Sequence, residues 1–186
     1  MGRKLVIVVL LVAVVLMLCT ATAMGRPAHG KPMMWQGSFK SLNGSVVSGN
    51  VKVWQYGNSL DVFIEVTGLD RGKAHLMGFH GIAGGIAVAP PVSADVNGDG
   101  VISYDEGLPF YGPELVALTP IKKPDHRASI VYRQWISGSP LDANNVALST
   151  RVILIQGAFT HPSYTLTYYD PTIPVAIASL HRIGPK

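Results

Sequence analysis

Cysteine is almost missing: Cys19 is the only one in 186 residues, and it lies inside an N-terminal apolar run. Once that run is removed, no disulfide can staple the fold, so a hydrophobic core must hold it. Charge is sparse too, with Lys, Arg, Asp and Glu making up 14% of the residues. Beyond the leader the bases are scattered, and Lys122-Lys123 is the adjacent pair. A clustered basic footprint for nucleic acid is therefore not expected. The Gly-x-Ser-x-Gly elbow, the phosphate loop and the His-Glu-x-x-His zinc-protease signature are all absent. With no recognisable catalytic set, the chain is read as a non-enzyme. Beyond the leader no amphipathic helix of ten residues can be traced, which points away from helical bundles and from doubly wound sheets.

What is present begins with an export signal. Arg3 and Lys4 precede an uninterrupted apolar run, Leu5 to Leu18, and Ala21-Thr22-Ala23 supplies small residues for a signal peptidase. Residues 1–23 are expected to be cleaved, giving a secreted, periplasmic or cell-surface protein. If they are retained, they serve as a membrane tether. No other membrane association is expected. A lipoprotein reading of Cys19 would need a small residue where Leu18 stands. Cleavage lowers the basic count from 15 to 13 against 11 acids, so the net charge falls from +4 to +2. About 160 residues remain, enough for one domain. Residues 24–34, with Pro27, Gly30 and Pro32, read as a flexible lead-in, and residues 35–186 as the domain.

The domain reads as strands. Leu60, Val62, Ile64 and Val66 alternate with Asp61, Phe63 and Glu65, the pattern of a half-buried strand. Tyr56-Gly57-Asn58-Ser59 is placed as the hairpin turn joining it to the run 46–56. Further strands are expected at 75–82, 114–118, 129–136, 151–159, 164–168 and 175–181. Short strands between Gly and Pro turns predict an all-β antiparallel Greek-key sandwich or barrel. Trp35, Trp54 and Trp135 either line a ligand groove or pair across strands.

The most specific stretch is DVNGDGVISYDE, Asp95 to Glu106. Side-chain oxygens fall at loop positions 1, 3, 5, 9 and 12: Asp95, Asn97, Asp99, Ser103 and Glu106. Position 6 is Gly100, where the turn is sharp, and Val101 at position 7 offers its carbonyl. Apolar Ile102 occupies position 8. This is the complete ligand pattern of an EF-hand calcium loop. Its three carboxylates, with Glu106 bidentate, bring the oxygen count into the calcium range. The expected metal ligands are Asp95, Asn97, Asp99, Val101, Ser103 and Glu106, and the expected cofactor is Ca2+.

The flanks are not those of a calcium sensor. Pro90-Pro91 precludes a regular entering helix, and Gly107 with Pro109 leaves room for at most one turn of an exiting one. No second loop is present. The loop is therefore read as a static clip that orders residues 81–113 of a β-domain.

The run SGNVKVWQYGNSLDVFIEVTGL, followed by AHLMGFHG, resembles the CHRD domain and, more distantly, copper/zinc superoxide dismutase. Exported bacterial CHRD-like proteins show a similar order: a His-containing strand, a calcium loop, a Tyr-Gly-Pro stretch and an Asp-Pro-Thr-x-Pro-Val strand. The corresponding pieces here are residues 74–81, 95–106, 110–113 and 170–175. The resemblance implies a Greek-key β-domain with a calcium loop. It also departs: His75-Leu76-Met77-Gly78 stands where the family has His-x-His-Gly, and Gly81-Ile82 follows where a dismutase would place its next His. An alternative reading makes His75, Met77 and His80 a copper site, since imidazole and thioether suit copper. On a regular strand His75 and Met77 share one face and His80 takes the other. The expected partners are a calcium ion and an extracellular ligand or protein that the sequence does not name.

Overall fold

The computed structural model describes residues 31–119, 121–139, 141, 148–160 and 168–184. The export signal, most of the lead-in, His161 and most of the expected strand at 164–168 lie outside the described residues.

Nine strands form one antiparallel sheet. They are β1 (Met33–Ser41), β2 (Ser48–Tyr56), β3 (Ser59–Thr67), β4 (Leu76–His80), β5 (Glu114–Ala117), β6 (Ile130–Ile136), β7 (Val152–Thr160), β8 (Tyr168–Ser179) and β9 (His181–Ile183). Their spatial order is β5-β4-β7-β8-β1-β2-β3-β6, with β9 paired to β1. The all-β antiparallel expectation holds. β1 belongs to both halves: Met33 to Phe39 pair with β2, and Lys40 and Ser41 pair with β8. The sheet curls, and side chains link β6 to the stretch after β5. Tyr132 Oη donates to the Thr119 carbonyl at 2.9 Å, and Thr119 N–H donates to Gln134 Oε1 at 3.2 Å.

The alternation read from β3 sets the inner face. Leu60, Val62, Ile64 and Val66 are all buried, beside Val51 and Val53 of β2 and Ile153 and Ile155 of β7. The Gly57-Asn58 turn joins β2 to β3 with Tyr56 opposite Ser59. Asp61, on the outer face, is also buried, because Arg133 clamps its carboxylate at 2.6 and 3.0 Å.

Three expectations need correction. β1 starts at Met33, which pairs with Gln55, so the lead-in stops short of residues 33–34. β8 starts at Tyr168, well before residue 175, although Pro171 and Pro174 lie within it. Irregularities in the β7–β8 register between Ile155 and Ala158 accommodate it. Finally, the loop 81–113 contains a helix of two turns, α1 (Tyr104–Tyr111), where one turn was expected. Pro109 falls late enough that the first turn keeps its hydrogen bonds, and a capping box supports the start.

β7 reads as a continuous apolar run because both its faces are covered. Ile153 and Ile155 point into the main core. Val152 and Leu154 pack with Leu42, Ile177, Ala87 and Tyr111, flanked by Tyr104 and Leu108 of α1. The long loop thus forms a second layer over β7 and β8. Among the described residues no helix is long and apolar enough to cross a membrane.

Candidate metal centre

The loop from Asp95 to Glu106 is wound around its own carboxylates. Asp95 Oδ1 accepts from the N–H groups of Gly98 (2.8 Å) and Asp99 (3.2 Å), and Oδ2 accepts from Gly100 N–H at 2.8 Å. Asn97 Oδ1 accepts from Asp99 N–H and Asp99 Oδ1 from Val101 N–H, each at 2.8 Å. These are local side-chain turns, the conformation that short Asp and Asn side chains favour. Gly100 sits at φ 84, a conformation that costs an ordinary side chain energy.

Glu106 has two tasks. As the third residue of α1 it completes the capping box: Ser103 N–H and Oγ each donate to Glu106 Oε2 at 2.8 Å, and Glu106 N–H donates to Ser103 Oγ at 3.3 Å. Its other oxygen reaches back to the start of the loop, accepting from Val96 N–H at 3.1 Å and Asn97 N–H at 3.3 Å. These bonds hold the carboxyl below its usual pKa, first through Ser103. Position 12 therefore closes over positions 2 and 3.

A clamp from the β-domain holds the loop at position 8. Ile102 N–H donates to Asn43 Oδ1 at 2.8 Å, and Asn43 Nδ2 donates to the Ile102 carbonyl at 2.9 Å. The same Nδ2 donates to the Pro174 carbonyl of β8 at 2.9 Å. Asn43 adopts φ 53, a conformation Asn tolerates better than most residues. The sequence alone does not point to this clamp, because Asn43-Gly44-Ser45 reads locally as a polar turn and Ile102 lies 59 positions away.

The donor types fit a hard cation: oxygens only, three of them from carboxylates. As placed, the oxygens face backbone N–H groups. Among the described residues no group of three or more His, Cys, Asp or Glu side chains stands close enough to hold an ion. Asp95 Oδ2 and both Asp99 oxygens accept one bond each and keep a lone pair for a cation, whereas Asp95 Oδ1 and both Glu106 oxygens already accept two and would exchange an N–H or O–H donor for the ion. Asp95, Asp99 and Glu106 have no Lys or Arg partner among the described residues. The neighbouring Asp105 points to solvent.

His75, Met77 and His80 are all buried but lie in different surroundings. His75 Nδ1 is 3.0 Å from the Gln156 carbonyl and its Nε2 3.2 Å from that of Asp70. Met77 belongs to the main core with Phe79. His80 lies under α1, its ring against Tyr111 at 5.5 Å and Tyr104 at 6.1 Å. His80 Nδ1 is 3.0 Å from the Gly112 carbonyl, and its Nε2 has no partner. Burial lowers the pKa of both rings.

No family model matches the chain, and no curated protein matches it.

Proposed function

We propose that the protein is an exported, non-enzymatic β-domain whose loop 95–106 binds one calcium ion as a structural element, on a scaffold of CHRD type. One observation carries this reading. Three carboxylates without basic partners are gathered in a twelve-residue loop, and the β-domain grips that loop at Ile102 through Asn43. Drawing these carboxylates together costs like-charge repulsion, and a divalent cation between them offsets it.

A structural role, as distinct from sensing, is supported by what surrounds the loop. Pro91 leads into a short 3-10 turn, Val92–Ala94, with no helix entering the loop. The exiting helix α1 is packed down on β7 and β8 through Tyr111 and Leu108. There is thus no pair of helices to open. An ion would fix the loop, and with it the layer over β7 and β8. Outside the cell calcium is abundant, so a dissociation constant of about 10⁻⁴ to 10⁻³ M suffices.

The test is calorimetric titration of the metal-free protein with calcium, followed by thermal melting with and without chelator. The reading requires one site and a chelator-sensitive melting temperature. Heat-silent titration with an unchanged melt would sink it.

A further inference from the structure

We infer that the outer face of β1, β2, β3 and β6, with β9 at its border, binds a neutral polysaccharide. In register across these strands, Met34, Trp54, Asp61 and Trp135 form one row. Gln36, Lys52, Phe63 and Arg133 form the next, with His181 of β9 opposite Gln36, and Ser38, Asn50, Glu65 and Val131 form the third. Side chains at alternate positions share a face, so these rows make one surface.

The surface carries a groove of about 160 Å³ lined by Gln36, Ser38, Asn50, Lys52, Glu65 and His181. Lys52 and Glu65 have no ion-pair partner among the described residues. Ser38 Oγ donates to Asn50 Oδ1 at 2.9 Å, which leaves the amide nitrogen of Asn50 free to donate. The groove thus offers a carboxylate, an ammonium and an amide at close quarters. A polyol, whose hydroxyls both donate and accept, engages all three. A polyanion meets Glu65 and a polycation meets Lys52, so the mixed lining selects a neutral chain.

Beside the groove lie half-buried rings. Phe63 stands between Lys52 and Arg133. The Arg133 guanidinium lies 5.8 Å from the centre of the Trp54 ring, and Tyr56 packs on Trp135 at 5.4 Å. Aromatic faces supply apolar contact for the C–H faces of a sugar ring while polar neighbours take its hydroxyls. Other occupants fit less well. An added peptide strand needs a free sheet edge, and here the backbone is paired on both sides along β2 and β3. A second copy packed face to face would have to desolvate Lys52 and Glu65 to pair them across a two-fold axis, a gain that the desolvation cost largely cancels.

The test is native gel electrophoresis of the full chain in gels cast with xyloglucan, laminarin or galactomannan, alongside Glu65→Ala and Asn50→Ala. Both positions are solvent-exposed, so the variants should melt as the parent does. Retardation by at least one polymer, weakened about tenfold in either variant, supports the inference. No retardation by any polymer overturns it, as does retardation that both variants retain. A dimer in sedimentation that Glu65→Ala dissociates would mark the face as a self-interface and equally overturn it. None of these outcomes depends on calcium.

Discussion

Asn43 Oδ1 and Nδ2 bond the N–H and the carbonyl of the same residue, Ile102, at 2.8 and 2.9 Å across 59 positions of sequence. A neighbouring strand would satisfy a peptide in the same way; here a side chain does it, and its amide also reaches β8 at Pro174. The loop 95–106 is thereby registered to the sheet at Ile102. Replacing the amide without disturbing the backbone calls for Asn43→Gly, since glycine accepts φ 53. The loss of bonds to partly buried groups should cost about 1–3 kcal/mol, read as a lower denaturant midpoint. Calcium affinity should fall in the same variant. Unchanged values in both measurements would show that the clamp is idle.

Glu106 combines a helix cap with a proposed calcium ligand, and the two roles can be separated. Glu106→Gln keeps a side chain able to complete the capping box, so α1 should persist by circular dichroism. It removes one of three carboxylates, so calcium affinity should drop at least about tenfold. Ser103→Ala does the reverse to the helix, removing the cap at a cost of about 1 kcal/mol that remains measurable in chelator. If Glu106→Gln binds calcium like the parent, position 12 is not a ligand.

Calcium should stabilise by mass action alone if it binds only the folded state. At an ion concentration one hundred times the dissociation constant, the gain is about 2.7 kcal/mol. For a domain of this size that is a rise of several degrees in Tm, reversed by chelator. Magnesium at equal concentration should give less, because it dehydrates reluctantly and demands stricter geometry.

The inner face was legible because period-2 alternation in 60–66 places a continuous aliphatic row on one side, while Asp61 on the other side is buried only through its clamp to Arg133. The hairpin at Gly57-Asn58 was legible from turn chemistry. The partners of the ion loop were not. Asn43 and Ile102 are far apart in sequence, and nothing local in Asn43-Gly44-Ser45 distinguishes a clamp from a surface turn. α1 was underestimated for a related reason: propensity counts Gly107 and Pro109 as breakers, whereas Tyr111 is fully buried against β7 and β8 and supplies tertiary support. Of the candidate copper residues, the sequence correctly separates His80 from Met77 by face. It does not show that both nitrogens of His75 already stand beside carbonyl oxygens.

His80 gives the stability a pH dependence. Its ring is fully buried against Tyr104 and Tyr111, faces the Gly112 carbonyl through Nδ1, and has a folded pKa below 6.5 because burial penalises the cation. The unfolded chain therefore binds the proton first as pH falls. The folded state keeps its full advantage above about pH 6.5 and loses it toward the lower folded value, at up to about 1.4 kcal/mol per pH unit. His75, also lowered by burial, adds in the same direction. In chelator, to keep calcium out of the comparison, the denaturant midpoint should drop between pH 7 and pH 5. His80→Phe should flatten that slope, and an identical slope in the variant would remove His80 from the account.

Gly112 closes the neck of the long loop, and its replacement should be more damaging than that of Gly100 although both have positive φ. Gly100, at φ 84, has open space where a Cβ would project. Alanine there pays only the left-handed conformation, about 1–2 kcal/mol, and pays it inside the loop. Gly112, at φ 74, would place a Cβ 2.2 Å from the Gly81 carbonyl oxygen, a backbone atom that cannot swing aside. The residue also caps α1 by donating its N–H to the Leu108 carbonyl at 2.8 Å, and its own carbonyl faces His80. A shift at Gly112 therefore disturbs the end of the helix, the return of the loop and the buried imidazole together. Gly112→Ala should cost more than about 2 kcal/mol of global stability with calcium present or absent. Gly100→Ala should weaken calcium binding and lower stability in chelator by no more than about 1–2 kcal/mol, because open space surrounds the added Cβ. Equal midpoints for the two variants in chelator would mean that the neck at Gly81 and Gly112 is not a fixed contact.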